Sequence, residues 1–307
     1  MALETLVAAE LAESVDPRVT AMATALAARY GRASRSVLFY GSCLREANLD
    51  GLMLDFYLIV SDYAEAFGKG WLAFANRLIP PNVFPFEHDG LIAKYAVLSE
   101  ADFTRLASSS TRNVSVWARF AQPSRLVWAA DDGARAHGVA AIAGAAPALL
   151  AAARPMLADT VTLDELWGQA FNLTYAAELR AERKGRATSV VAADPVRYRC
   201  FTAPALAAAG LPATITGDRI AFEEALTAAE RRAGAALWVR RRREGKALTI
   251  VRLAKASTTY AGGIDYLAWK INRHAGAAIE IRPWQRRWPI LGAISLLPRL
   301  ILRGAVR

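Results

Sequence analysis

Gly41-Ser42 and Asp55 are the residues whose types and spacing suggest chemistry. The glycine closes an apolar run, SVLFYGS at 36–42, and a glycine lets backbone approach a ligand closely. A serine hydroxyl and the amides of such a turn can hold a phosphate. Asp55 follows Ser42 by thirteen positions, inside LMLDFYLIV at 52–60. A carboxylate in an apolar strand is costly to bury without a partner. Mg2+, held jointly by a carboxylate and the phosphates of a nucleotide, is a partner that fits. Metal and phosphate turn together suit attack on the α-phosphorus of a nucleoside triphosphate, with the metal neutralising charge on the leaving pyrophosphate.

The elements that must position these groups follow from patterning. Residues 36–42 and 52–60 read as buried strands, with a turn at Asp50-Gly51 between them. A helix is expected over Tyr63–Leu78, stopped by Pro80-Pro81. A strand at Leu91–Leu98, a helix from Ala101, a strand at Arg125–Ala129 and a turn at Asp131-Asp132-Gly133 complete an α/β portion. From about 138 the sequence is Ala-rich and helical. Asp159 or Thr162 caps the next helix, and Glu165 makes a capping box with Thr162. That helix is expected over 162–183, with more helix over 222–235. The N-terminal MALETLVAAELAESVDPRV reads as an amphipathic helix, with Leu6, Leu11 and Val15 at roughly helical spacing. The expected fold class is α+β: a mixed sheet with helices over 1–145, a mainly helical domain over 146–270, and a basic segment over 271–307.

Composition limits the partners. The chain has 307 residues, 54% hydrophobic and 21% charged, enough to bury a core and build two domains. Its net charge of +10 points to an anionic partner. The two cysteines, Cys43 and Cys200, and three scattered histidines argue against a disulfide framework or a zinc site. The N-terminus carries Glu4, Glu10 and Glu13 and no basic region, so a secretory signal is not expected and the catalytic part is expected in the cytoplasm. Arg240 to Arg243 form a basic run with no aromatic stripe, and no nucleic-acid partner is expected. From Arg282 onward there are six arginines and no acid, alternating with apolar residues. Trp284, Arg286, Arg287, Trp288, Arg299 and Arg303 give this segment the character of an interfacial amphipathic helix on an anionic membrane. Packing on the domain with the arginines exposed is the plainer role. The apolar stretch Trp288–Pro298 has 11 residues, short of the roughly 20 that a spanning helix needs.

Gly41-Ser42, the gap and the apolar strand around Asp55 resemble the nucleotidyltransferase superfamily related to DNA polymerase β. A narrower resemblance covers about 37–190. FYGSCLRE, LDFYLIVSDYAEAF, IAKYAVLSEADF, WARFAQPSRLVW and LTYAAELRAERKGRATSVV occur in that order. They are similar to the YGSGV, LDF, KYGV, RLQKP and GDFR blocks of the mitochondrial-type phosphatidate cytidylyltransferases, the translocator assembly and maintenance family. The departures are specific. Cys43 replaces the second glycine, the RLQKP lysine is missing, and Glu178 replaces an aspartate; against the wider superfamily pattern, Tyr57 stands where a second strand carboxylate is usual.

The resemblance implies a polymerase-β-like fold, transfer of CMP from CTP to phosphatidate, and Mg2+. It implies that Gly41 and Ser42 hold the triphosphate, that Asp55 binds the metal, and that Lys94 contacts phosphate. It gives Arg119 the clamping of an anionic group and Arg180 a place facing the cleft. The plainer roles are a strand-edge lysine covering apolar surface for Lys94 and a surface ion pair for Arg119. With Tyr57 at the second carboxylate position, a further metal ligand is sought among Asp50, Asp62, Glu87 and Asp89. A peripheral enzyme on the inner face of the membrane is the expected setting.

Overall fold

The computed structural model describes residues 2–46, 48–68, 70–178, 190–259 and 281–287, without the side chains of 253, 254, 256–259, 286 and 287. Arg180, Trp288, Arg299 and Arg303, with the side chains of Arg286 and Arg287, lie outside the described residues.

The chain opens with α1 (Leu3–Leu11) and α2 (Pro17–Ala28). Asp16 caps α2 by accepting from Arg18 N, and Pro17 sits in the first turn, where its missing N–H costs nothing. Strands β1 (Ser34–Tyr40) and β2 (Met53–Val60) follow, with Gly51 between them at φ 72°. The expected helix over 63–78 is two short ones, α3 (Tyr63–Ala66) and α4 (Gly70–Leu78). Gly68 and Gly70 disfavour a continuous helix, and Phe67 turns into the core.

Next comes β3 (Asn82–His88), a strand that the patterning did not suggest because Pro85 sits within it. Its place explains this: β3 is at the edge of the sheet, where a missing N–H is tolerated. Then come β4 (Leu91–Ser99), α5 (Glu100–Leu106), α6 (Trp117–Phe120) and β5 (Ser124–Ala129). Asp131 is not a turn residue but the N-cap of α7 (Asp132–Ala143), accepting from Ala134 N. Helix α8 (Ala145–Ala153) continues from it. Asp132–Met156 is long and apolar enough to cross a membrane, yet more than half of its most apolar window is buried in the protein.

The later part holds β6 (Thr160–Thr162), α9 (Leu163–Ala176), α10 (Pro195–Ala208), β7 (Ala213–Thr216), β8 (Arg219–Phe222), α11 (Ala228–Thr259) and α12 (Pro283–Arg287). The Thr162–Glu165 capping box opens α9. The helix expected over 222–235 starts later. Residues 219–222 form β8, and a second capping box between Thr227 and Glu230 opens α11. This part therefore carries a three-stranded sheet, β6-β8-β7, beside its helices.

The main sheet is mixed, in the order β3-β4-β2-β1-β5. Strand β1 runs antiparallel to β2 and β5, β2 parallel to β4, and β4 antiparallel to β3. The fold class is thus α+β, as expected. One face carries Val37, Phe39, Leu54, Phe56 and Leu58 against Val19, Met22 and Leu26 of α2. The other carries Leu38, Tyr57, Ile59 and Leu98 into a larger cluster with Trp117, Leu149, Trp167 and Trp238. Apolar packing is continuous across position 145.

Candidate active site

Register brings the predicted residues together. Tyr40 pairs with Asp55 across β1 and β2, and Asp55 pairs with Lys94 across β2 and β4. Gly41 follows Tyr40 directly, with φ 97° and ψ −166°. That conformation favours glycine. A Cβ there would stand 3.2 Å from Asp55 Oδ2. The missing side chain is what lets the turn close over the carboxylate. Ser42 then begins a short 3-10 helix, Ser42–Arg45, and is exposed.

Lys94 Nζ lies 2.8 Å from Asp55 Oδ1, both side chains keeping part of their surface in solvent. Cys43 is buried beside them, its Sγ 3.5 Å from the carbonyl of Met53. Burial, and then the negative charge of Asp55, push its thiol up.

One row deeper lies Tyr57, at 1% exposure. Its hydroxyl accepts a 2.9 Å hydrogen bond from Arg119 Nη1. The Arg119 guanidinium lies 5.3 Å from the Tyr40 ring and 5.8 Å from the Tyr57 ring, within cation–π range. Arg119 is therefore no surface ion pair. Burial works against its charge, but Tyr57, Tyr40, Glu178 and Asp55 outweigh that and hold its pKa well above the usual range.

Helix α11 adds two cations that the sequence reading missed. Arg252 donates from Nε and Nη2 to the carbonyl of Pro80, at 2.9 and 2.6 Å, and from Nη1 to Ser115 Oγ at 2.8 Å. Lys255 donates to the carbonyl of Ile79. Burial lowers the pKa of both, that of Lys255 to about 7. Arg252 is within electrostatic reach of Tyr57, Glu178 and Arg119, which ties α11 to the row behind Asp55. Gly245 permits this crossing, since a Cβ there would stand 2.1 Å from the carbonyl of Ala177. Nothing local marks Arg252 and Lys255, because what they meet depends on where a 32-residue helix crosses the sheet.

The four candidates for a further metal ligand are placed elsewhere. Asp50 is exposed and pairs with Arg18 at 2.8 Å. Asp62 caps α3 and pairs with Arg77, at the opposite end of β2. Asp89 occupies the β3–β4 turn at φ 47° and lies 3.4 Å from His88. Glu87 shares the face of Lys94 but pairs with Ile92, one row away and on the edge strand. Among the described residues, no three His, Cys, Asp or Glu side chains converge. The donor set therefore fits Mg2+ only as a site with Asp55 as its one carboxylate, the remaining ligands being phosphate and water, a form that Mg2+ accepts.

Comparison of the sequence with protein-family models finds no match, and comparison with curated proteins finds none.

Proposed function

We propose that this chain is a nucleotidyltransferase of polymerase-β-like fold that transfers CMP from CTP to phosphatidate, giving CDP-diacylglycerol and pyrophosphate. The observation that carries the reading is the row formed by Gly41, Asp55 and Lys94, with Oδ2 of Asp55 against the glycine and Oδ1 on the lysine. The acceptor and the cytidine base rest on the family resemblance of the five blocks.

In this reading the amides after Gly41 and the Ser42 hydroxyl bind the triphosphate. Asp55 holds Mg2+, which when bound neutralises charge building on the pyrophosphate. Lys94, released from Asp55, pairs with a phosphate oxygen. A phosphatidate oxygen forms a bond to the α-phosphorus as the bond from that phosphorus to the bridging oxygen breaks. The acceptor phosphate is already anionic, so positioning and charge screening matter more than a general base. Arg119, fixed on Tyr40 and Tyr57, supplies positive potential behind the row.

Docking on the cytoplasmic face of a membrane is part of the proposal. Supporting it, α4 exposes Trp71, Phe74 and Leu78, three large apolar side chains at spacings of three and four. Such a row is the apolar face of an interfacial helix. The carbonyl of Pro80, just after α4, holds the Arg252 guanidinium, which places a positive charge close behind it. Trp284 on α12 is also exposed.

A second reading, a nucleotide-binding module without turnover, is favoured by Tyr57, whose phenol is engaged by Arg119 where a carboxylate would hold metal. Incubating the full chain with labelled CTP, Mg2+ and vesicles containing phosphatidate separates the readings. CDP-diacylglycerol with stoichiometric pyrophosphate is expected. Pyrophosphate release with other acceptors only would overturn the acceptor. CTP binding without any release would favour the second reading.

A further inference from the structure

A cavity of about 200 Å³ lies between α6, α8 and α11, lined by residues separate from the Asp55 row. Much of its wall is apolar, with Ala148 and Leu237 among the lining residues. Two of its side chains carry nitrogens that are shielded from solvent and bond nothing: Nε and Nη1 of Arg241, and Nε1 of Trp117. Buried donors left unsatisfied are uncommon in native proteins and costly, and each calls for an explanation.

Arg241 is held in place rather than left over. Its guanidinium lies 4.8 Å from the ring of Trp238, which is itself fixed by a 2.8 Å bond from its Nε1 to the carbonyl of Ala152. Arg240 and Arg112 both pair with Glu244, at 2.6 and 3.2 Å. Burial and the positive charge of Arg112 both disfavour charge on Arg241, and an anion would relieve both. Ser109 and Thr111 bring hydroxyls to the same cavity.

We propose that this cavity binds a small amphiphile with a carboxylate or phosphate-monoester head and a short apolar body. The head pairs with the Arg241 guanidinium, with the hydroxyls of Ser109 and Thr111 beside it. The body lies against Ala148 and Leu237. Charge-assisted bonds in a water-poor setting are strong, and an apolar pocket with a few convergent polar groups is the usual form of a small-molecule site. The proposal does not depend on the nucleotidyltransferase reading.

The test is a titration of the full chain with hexanoate, hexyl phosphate, inorganic phosphate and 1-hexanol, followed by calorimetry and by the thermal midpoint. Hexanoate or hexyl phosphate is expected to bind saturably and raise the midpoint, the stronger of the two identifying the head. Inorganic phosphate and hexanol should bind at least tenfold more weakly, and Arg241→Met should weaken amphiphile binding at least tenfold. Without ligand, Arg241→Met should unfold at the same or a higher temperature than the parent, because it removes a partly buried charge whose one partner is the Trp238 ring, which the methionine can still cover. A lower midpoint for that variant assigns the guanidinium to structure and overturns the proposal. So does unchanged binding by the variant, or binding of neither amphiphile. Phosphate binding as tightly as hexyl phosphate marks a bare anion site and overturns the amphiphile.

Discussion

Lys94 Nζ and Asp55 Oδ1 are 2.8 Å apart, on adjacent parallel strands in direct register. Each satisfies the other's charge at the rim of a face whose next row inward, Tyr57, is fully buried. A pair at such a rim can open to a ligand without unpacking the core. Asp55→Asn is expected to lower CMP transfer by at least about 100-fold, the scale of losing a preorganised electrostatic group. Its thermal midpoint should move little, because the amide oxygen still accepts from Lys94. Steady-state kinetics and thermal unfolding on the same preparation check both halves, and an active Asp55→Asn would remove Asp55 from the chemistry.

Tyr57 is expected to act through Arg119. Tyr57→Phe deletes the acceptor of the 2.9 Å bond from Arg119 Nη1 and leaves a charged donor short of a partner. A loss of about 1–3 kcal/mol in urea unfolding is the expected scale. Turnover should fall by less than in Asp55→Asn, since the ring and its stacking remain. An unchanged urea midpoint would show that Arg119 is held without the phenol.

Lys255 predicts a pH dependence. Burial and the charge of Arg252 lower its pKa from 10.5 to about 7. Between those values the unfolded chain binds a proton that the folded chain does not, so this group's contribution to stability increases with pH across that window. Relative to Lys255→Met, the parent should be least favoured below pH 7 and should gain steadily towards pH 10. Urea unfolding of both proteins from pH 6.5 to 9.5 measures this, and a constant difference would count against it.

Glu10 on α1 and Arg197 on α10 form a buried pair, and Arg197 Nη1 also donates to the carbonyl of Ala121 at 3.0 Å. Removing one partner strands a buried charge. Glu10→Ala is expected to cost about 3–5 kcal/mol, and the double replacement Glu10→Leu with Arg197→Leu markedly less. Equal losses in the single and double variants would contradict this.

Helix α4 is expected to dock on lipid. Trp71→Ala with Phe74→Ala removes two exposed rings whose loss should leave folding unchanged. Co-sedimentation with vesicles rich in anionic lipid should fall several-fold, and the midpoint should hold. Undiminished vesicle binding would leave the membrane contact to other parts of the chain.

Several elements were legible because their signals are local. Strands β1, β2, β4 and β5 are apolar runs ended by turns or caps, and the Thr162–Glu165 box that opens α9 is readable from spacing alone. Strand β3 was hidden by Pro85, whose tolerance depends on an edge position that local sequence does not reveal. Asp131 looked like a turn residue because caps and turns favour the same side chains. The helix over 63–78 breaks at Gly68 and Gly70, whose low helix propensity coincides with the turn of Phe67 into the core.

By itself the sequence determined the α+β class, the glycine turn and the carboxylate thirteen positions after Ser42, since each rests on patterning within a few neighbouring residues. It could not determine which side chains meet. Strand order and register put Lys94 on Asp55, and the crossing of α11 puts Arg252 behind Tyr57. The same crossing leaves Nε and Nη1 of Arg241 without a hydrogen-bond partner. Those meetings join residues far apart along the chain, and only packing of the whole molecule decides them.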